Sequence, residues 1–131
     1  MEHILNLTQY PATAELRKAG VIDMEGTQLQ VLKNFLTFGS LPTKQEIQER
    51  AKQIAEFALL YDPQNTGTGI QVNLAMIGGA PYFLLSELEK ALKQYDITPL
   101  YAYSKKGKLV SRLDGSVNKH NVLKHIGFVE A

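Results

Sequence analysis

Residues 70–77, Ile70-Gln71-Val72-Asn73-Leu74-Ala75-Met76-Ile77, close on a nearly continuous apolar run that Gly78-Gly79-Ala80-Pro81 cuts off. A strand that reads this way is buried on both faces, as in a parallel sheet covered by helices. Phe83, Leu84, Leu85, Leu88, Ala91, Leu92 and Tyr95 then recur at helical spacing, and such spacing sets an amphipathic helix. After Asp96 the chain enters a second strand over residues 97–103. Parallel neighbours need a crossover of this kind, so the expected class is α/β. The expected architecture is a Rossmann-like three-layer sandwich, mostly parallel, with a C-terminal antiparallel hairpin.

The rest of the chain agrees. A first strand is expected over residues 3–7, stopped by Pro11, with a short helix through Glu15–Ala19 ended at Gly20. That gives a second β-helix-β connection. Val21-Ile22-Asp23 reads as a brief extended piece, and Leu29, Leu32, Phe35 and Leu36 as a second helix ending near Gly39. Thr43-Lys44-Gln45-Glu46 reads as a capping box, opening a helix with Ile47, Ala51, Ile54, Ala55, Ala58 and Leu59 on its buried face. Glu46 and Arg50 are spaced for an i,i+4 ion pair. Asp114-Gly115, between residues 109–113 and 117–123, is a two-residue hairpin signal. Nothing reads as a linker or repeat, so residues 1–131 form one domain, a size that buries a useful core.

Charge narrows the partners. Fourteen basic and 13 acidic side chains leave a net charge of +1, and duplex nucleic acid normally demands clustered excess charge. Duplex DNA or RNA is therefore not the expected partner, whereas a small anionic ligand is compatible. The sequence has no cysteine, which removes disulfides and thiolate metal sites. His3, His120 and His125 match no zinc spacing, so no metal or cofactor is expected. No apolar run approaches the roughly 20 residues of a membrane span, and the N-terminal apolar segment has no basic leader; the expected location is the cytoplasm.

Ligands in open α/β sheets sit outside the carboxyl ends of the strands. Three such ends are legible: Asn6, Thr8 and Gln9; Gly78 and Gly79; and Ser104, Lys105 and Lys106. Gly78 and Gly79 bare their backbone amides just before a helix N-terminus, which suits phosphate or carboxylate; equally, a tight strand-to-helix turn needs glycine without any ligand. Thr8 either bonds a ligand across the crevice or caps the helix entered at Pro11. Ser104-Lys105-Lys106-Gly107-Lys108 is either a solvated turn or a place where serine positions a reacting hydroxyl and lysine stabilises phosphoryl charge. His125 is a candidate general acid or base, against the plainer reading of a structural histidine. Tyr82, Tyr101 and Tyr103 are suited to base stacking or to the core.

Asn6-Leu7-Thr8-Gln9-Tyr10-Pro11-Ala12-Thr13, Gly78-Gly79-Ala80-Pro81, Pro99-Leu100-Tyr101-Ala102-Tyr103-Ser104 and His125-Ile126-Gly127-Phe128 together resemble a small bacterial Rossmann-like family of mobile elements and type III CRISPR loci. Some of its members resemble ring nucleases, which bind and cleave cyclic oligoadenylates, commonly as dimers without a metal. The resemblance implies a homodimer with a symmetric pocket for a cyclic oligonucleotide. It casts Asn6, Thr8, Gln9, Gly78 and Gly79 as ligand-binding and Ser104, Lys105 and His125 as catalytic. Cleavage would require a ribose 2′-hydroxyl in line with the scissile phosphate, and no residue stands out as its general base. A binding-only sensor or sponge, and a protein-interaction module of a mobile element, are the alternatives.

Overall fold

The computed structural model describes residues 3–61, 73–106 and 123–131. Their elements are β1 (Ile4–Asn6), α1 (Ala14–Lys18), β2 (Val21–Ile22), α2 (Gly26–Phe35), α3 (Lys44–Leu59), β3 (Leu74–Met76), α4 (Tyr82–Gln94), β4 (Thr98–Lys106) and β5 (Leu123–Glu130). One sheet runs β2-β1-β3-β4-β5. The first four strands are mutually parallel, and β5 pairs antiparallel with β4. This is the expected α/β, Rossmann-like arrangement. The proposed Asp114-Gly115 turn lies outside the described residues.

Strand alternation divides the core between two faces. Leu5, Leu7, Ala75 and Ile77 join a large cluster with Leu32 and Leu36 of α2, Ile54 and Ala55 of α3, and Leu84, Leu88 and Leu92 of α4. Ile4, Val21, Met76 and Leu100 meet Leu16 of α1 and Phe128 of β5 in a smaller one. The thin layer is α1, five residues long. Chain direction explains the split: β1 passes to β2 on one side, and β3 returns to the other side of β1, so the strand order reverses there.

Local chemistry sets the helix ends, with two departures from expectation. Thr13, not Thr8, caps α1 through its hydroxyl, accepting from the Leu16 amide at 3.3 Å. Thr43 caps α3 by accepting from the Glu46 amide at 3.1 Å, but the reciprocal Glu46 bond is absent among the described residues. Arg50 does not pair with Glu46. Its guanidinium donates to the carbonyls of Asn34, Phe35 and Thr37 at 3.2, 2.8 and 2.9 Å and lies 4.4 Å from the Phe38 ring centroid. The carbonyls clustered at a helix C-terminus offer a cation more than one exposed carboxylate does. Between α4 and β4, Asp96 adopts φ +59°; Asp96 N–H donates to Lys93 O and Ile97 N–H to Leu92 O, a Schellman closure with aspartate where glycine is usual.

Strand β4 also runs further than expected. It continues through Ser104, Lys105 and Lys106 instead of turning after Tyr103, because β5 pairs with it along its length, with a bulge between Tyr103 and Ser104.

Candidate functional site

Asn6, the last residue of β1, is 4% exposed, and Thr8 is 8% exposed. Buried polar groups must find partners, and here they find one another. The Thr8 amide and hydroxyl approach Asn6 Oδ1 at 2.9 and 2.7 Å. Asn6 Nδ2 donates to Tyr10 O at 2.8 Å and to Asp23 Oδ1 at 2.7 Å. The Tyr10 amide returns to the Thr8 hydroxyl at 3.3 Å. Asp23, just past β2, takes the Ala12 amide on both carboxylate oxygens at 3.1 and 3.2 Å and meets Arg17 at 3.3 Å. The β1–α1 loop is thus tied to the end of β2 by side chains.

This loop forms one wall of a cleft of about 820 Å³ at the carboxyl ends of β1 and β2, within the usual size of small-molecule sites, roughly 300–1,000 Å³. Asn6, Thr8, Gln9 and Tyr10 line it, with Arg17 and Asp23 behind. Across from them stand Glu25, Gly26, Leu29 and Lys33 from the start and inner face of α2, and Tyr61 closes the floor. Of the four lining charges, Arg17 and Asp23 neutralise each other. The side chains of Glu25 and Lys33 form no ion pair or hydrogen bond with any described residue. Glu25 is the N-cap of α2, yet its side chain makes no capping bond.

The glycine turn is adjacent but does not line this cleft. A Cβ on Gly79 would stand 2.7 Å from Thr8 Cβ and 3.2 Å from Tyr10 Cδ2, and one on Gly78 would stand 3.3 Å from Tyr101 Cδ1. Real Cβ contacts essentially never close to that first distance. Gly79 therefore lets the β1–α1 loop, and with it the Tyr10 wall, lie directly on the β3–α4 turn. Tyr101 is half-buried; its hydroxyl donates to Glu89 at 2.7 Å, and desolvation followed by that carboxylate raises its pKa well above the ordinary tyrosine value. Tyr82 and Tyr103 are exposed.

Ser104 and His125 face each other as partners across β4 and β5, next to the bulge. His125 N–H donates to Glu15 at 2.7 Å, its ring lies 4.8 Å from that of Phe128, and its Nδ1 is buried without a partner among the described residues. Neither residue lines the cleft. Lys105 has its backbone in β4, and its side chain lies outside the described residues. The candidates thus fall into two places: Asn6, Thr8 and Gln9 in the cleft with Gly79 behind them, and Ser104 with His125 on the antiparallel pair.

A family model spans residues 2–129. The chain belongs to the uncharacterized protein MJ1673 family. No curated protein and no solved structure matches this MJ1673-family chain. No helix among its described residues is long and apolar enough to cross a membrane.

Sequence reasoning missed Asp23, Glu25 and Lys33. The rule that led to β1, β3 and β4 applies equally to β2, whose end delivers Asp23 and Glu25. With two residues, β2 carries no alternation of its own.

Proposed function

We propose that this protein binds a small, nucleotide-type anionic ligand in the cleft at the carboxyl ends of β1 and β2. What carries the reading is the cleft's position: it opens at the carboxyl ends of β1 and β2, one strand to the side of the β1–β3 switch point at which doubly wound sheets receive nucleotides. Supporting it are an exposed Tyr10 ring on one wall and, on the other, a Lys33 ammonium with no partner among the described residues. The resemblance to ring-nuclease-type proteins singles out cyclic oligoadenylate as the ligand and a homodimer as the assembly. Binding is the step the reading advances. Cleavage by Ser104, Lys105 and His125 is a further step, supported by the pairing of Ser104 with His125 and weakened by their distance in sequence and sheet from the cleft-lining residues.

Incubation with cyclic tetra-adenylate tests both steps. Binding predicts a ligand-dependent rise in melting temperature; linear products would add cleavage, and Ser104→Ala or His125→Ala would then abolish them. No thermal shift with any cyclic oligoadenylate or mononucleotide would overturn the binding reading. A protein-interaction module is the second reading, favoured by Tyr103, Ile126 and Val129, each more than half exposed on the β4–β5 pair. It predicts that cleft substitutions leave function intact while Ile126→Asp and Val129→Asp destroy it.

A further inference from the structure

The two walls of the cleft differ in what they have left to offer a ligand. Both amide hydrogens and the oxygen of Asn6 are engaged, the Thr8 hydroxyl is held between Asn6 and Tyr10, and Asp23 already receives Ala12, Asn6 and Arg17. A ligand that bonded these groups would have to dismantle the loop that shapes its own site. The α2 wall carries no such obligation. Glu25, Leu29 and Lys33 recur every fourth residue, so they share one helix face, and all three line the cleft. Their stripe runs carboxylate, apolar, ammonium, with about 12 Å of helix between its ends at 1.5 Å per residue.

We propose that this stripe reads a ribonucleotide: Glu25 accepts hydrogen bonds from the ribose hydroxyls and Lys33 pairs with the phosphate. The inference rests on the nucleotide reading above and assigns its specificity. A carboxylate can only accept at neutral pH, so it rewards a hydroxyl and repels a phosphate. An ammonium does the reverse. Placed apart on one face, the two impose a direction on the ligand, with Leu29 under the sugar between them. An acidic side chain just past β2 is also where doubly wound sheets hold the ribose. Asp23 stands nearest that place but is committed to the loop, which leaves Glu25. Because a 2′-deoxyribose leaves the carboxylate without one of its donors, the cleft favours ribonucleotides over deoxyribonucleotides.

Calorimetric titration of the full chain with two matched pairs tests this: cyclic tetra-adenylate against its 2′-deoxy counterpart, and AMP against 2′-deoxy-AMP. The ribo member should bind about tenfold or more tightly, the usual value of one charge-assisted hydrogen bond. Glu25→Ala should abolish that preference, whereas Lys33→Met should weaken both members of a pair alike and leave the preference in place. Both side chains are exposed, so unchanged thermal melting shows that the variants fold. Equal affinity within each pair, or a preference that survives Glu25→Ala, overturns the inference while the nucleotide reading stands. Failure of all four ligands to bind removes both.

Discussion

The β1–α1 loop and the inner face of α2 bound the same cleft and are built on opposite principles. In the loop, buried Asn6 and Thr8 spend their hydrogen bonds on one another, on Tyr10 and on Asp23. On α2, the side chains of Glu25 and Lys33 are exposed and spend none on any described residue. One wall holds shape and the other holds unspent recognition. A low-dielectric network stabilises only when it is complete, so the loop should be intolerant of change, whereas Glu25 and Lys33 should tolerate substitution in folding and lose only binding.

The largest expected effect comes from breaking the loop. Asn6→Ala leaves the Thr8 amide without its acceptor and takes a donor from Asp23, and should cost about 2–4 kcal/mol in urea unfolding. A loss below half a kcal/mol would show that the wall is not held by this network. Next is Gly79→Ala, which forces Thr8 and Tyr10 away from the β3–α4 turn and should cost about 1–3 kcal/mol, the usual range for overpacking; because Tyr10 is displaced, ligand affinity should fall too. If stability drops while affinity is unchanged, Tyr10 is not part of the working wall.

A pH titration reaches the same turn from behind. Tyr101 lies against Gly78, and its folded pKa is raised. The folded state therefore holds this proton while the unfolded chain releases it near the ordinary value of 10.0. The associated stability is complete below that pH and declines as the pH climbs above it. Tyr101→Phe should flatten this alkaline decline in unfolding experiments; an unaltered slope would mean that the Glu89 contact does not couple to folding. The smallest effects belong to α2. Glu25→Ala and Lys33→Met should each move stability by less than about 0.5 kcal/mol, as exposed substitutions do, which separates their roles in binding from any role in folding.

Patterning made the fold legible. The run ending at Ile77, the Gly78–Pro81 break and the period of α4 announced a β–α–β unit, and Thr43 marked the start of α3. The site was legible only in part, for physical reasons. Asn6 and Thr8 were visible as polar residues after an apolar strand, but nothing local shows that their partner is Asp23, 17 residues from Asn6. Gly79 was ambiguous between ligand approach and tight packing, and the distance to Thr8 supplies the packing reason. Ser104 looked like a strand end because the lysines after it suggested a turn; pairing with β5 overrides that local signal. Arg50 looked like the partner of Glu46 on its own helix, when three carbonyls at and just beyond the end of α2 hold it.

The most direct test of the cleft as a nucleotide site is an amide-resolved NMR titration of the intact chain with cyclic tetra-adenylate. The account predicts saturable shifts at Gln9, Tyr10, Gly26, Leu29 and Lys33, with Ile126–Glu130 unmoved. Shifts confined to β5, or none at saturating ligand, would contradict it.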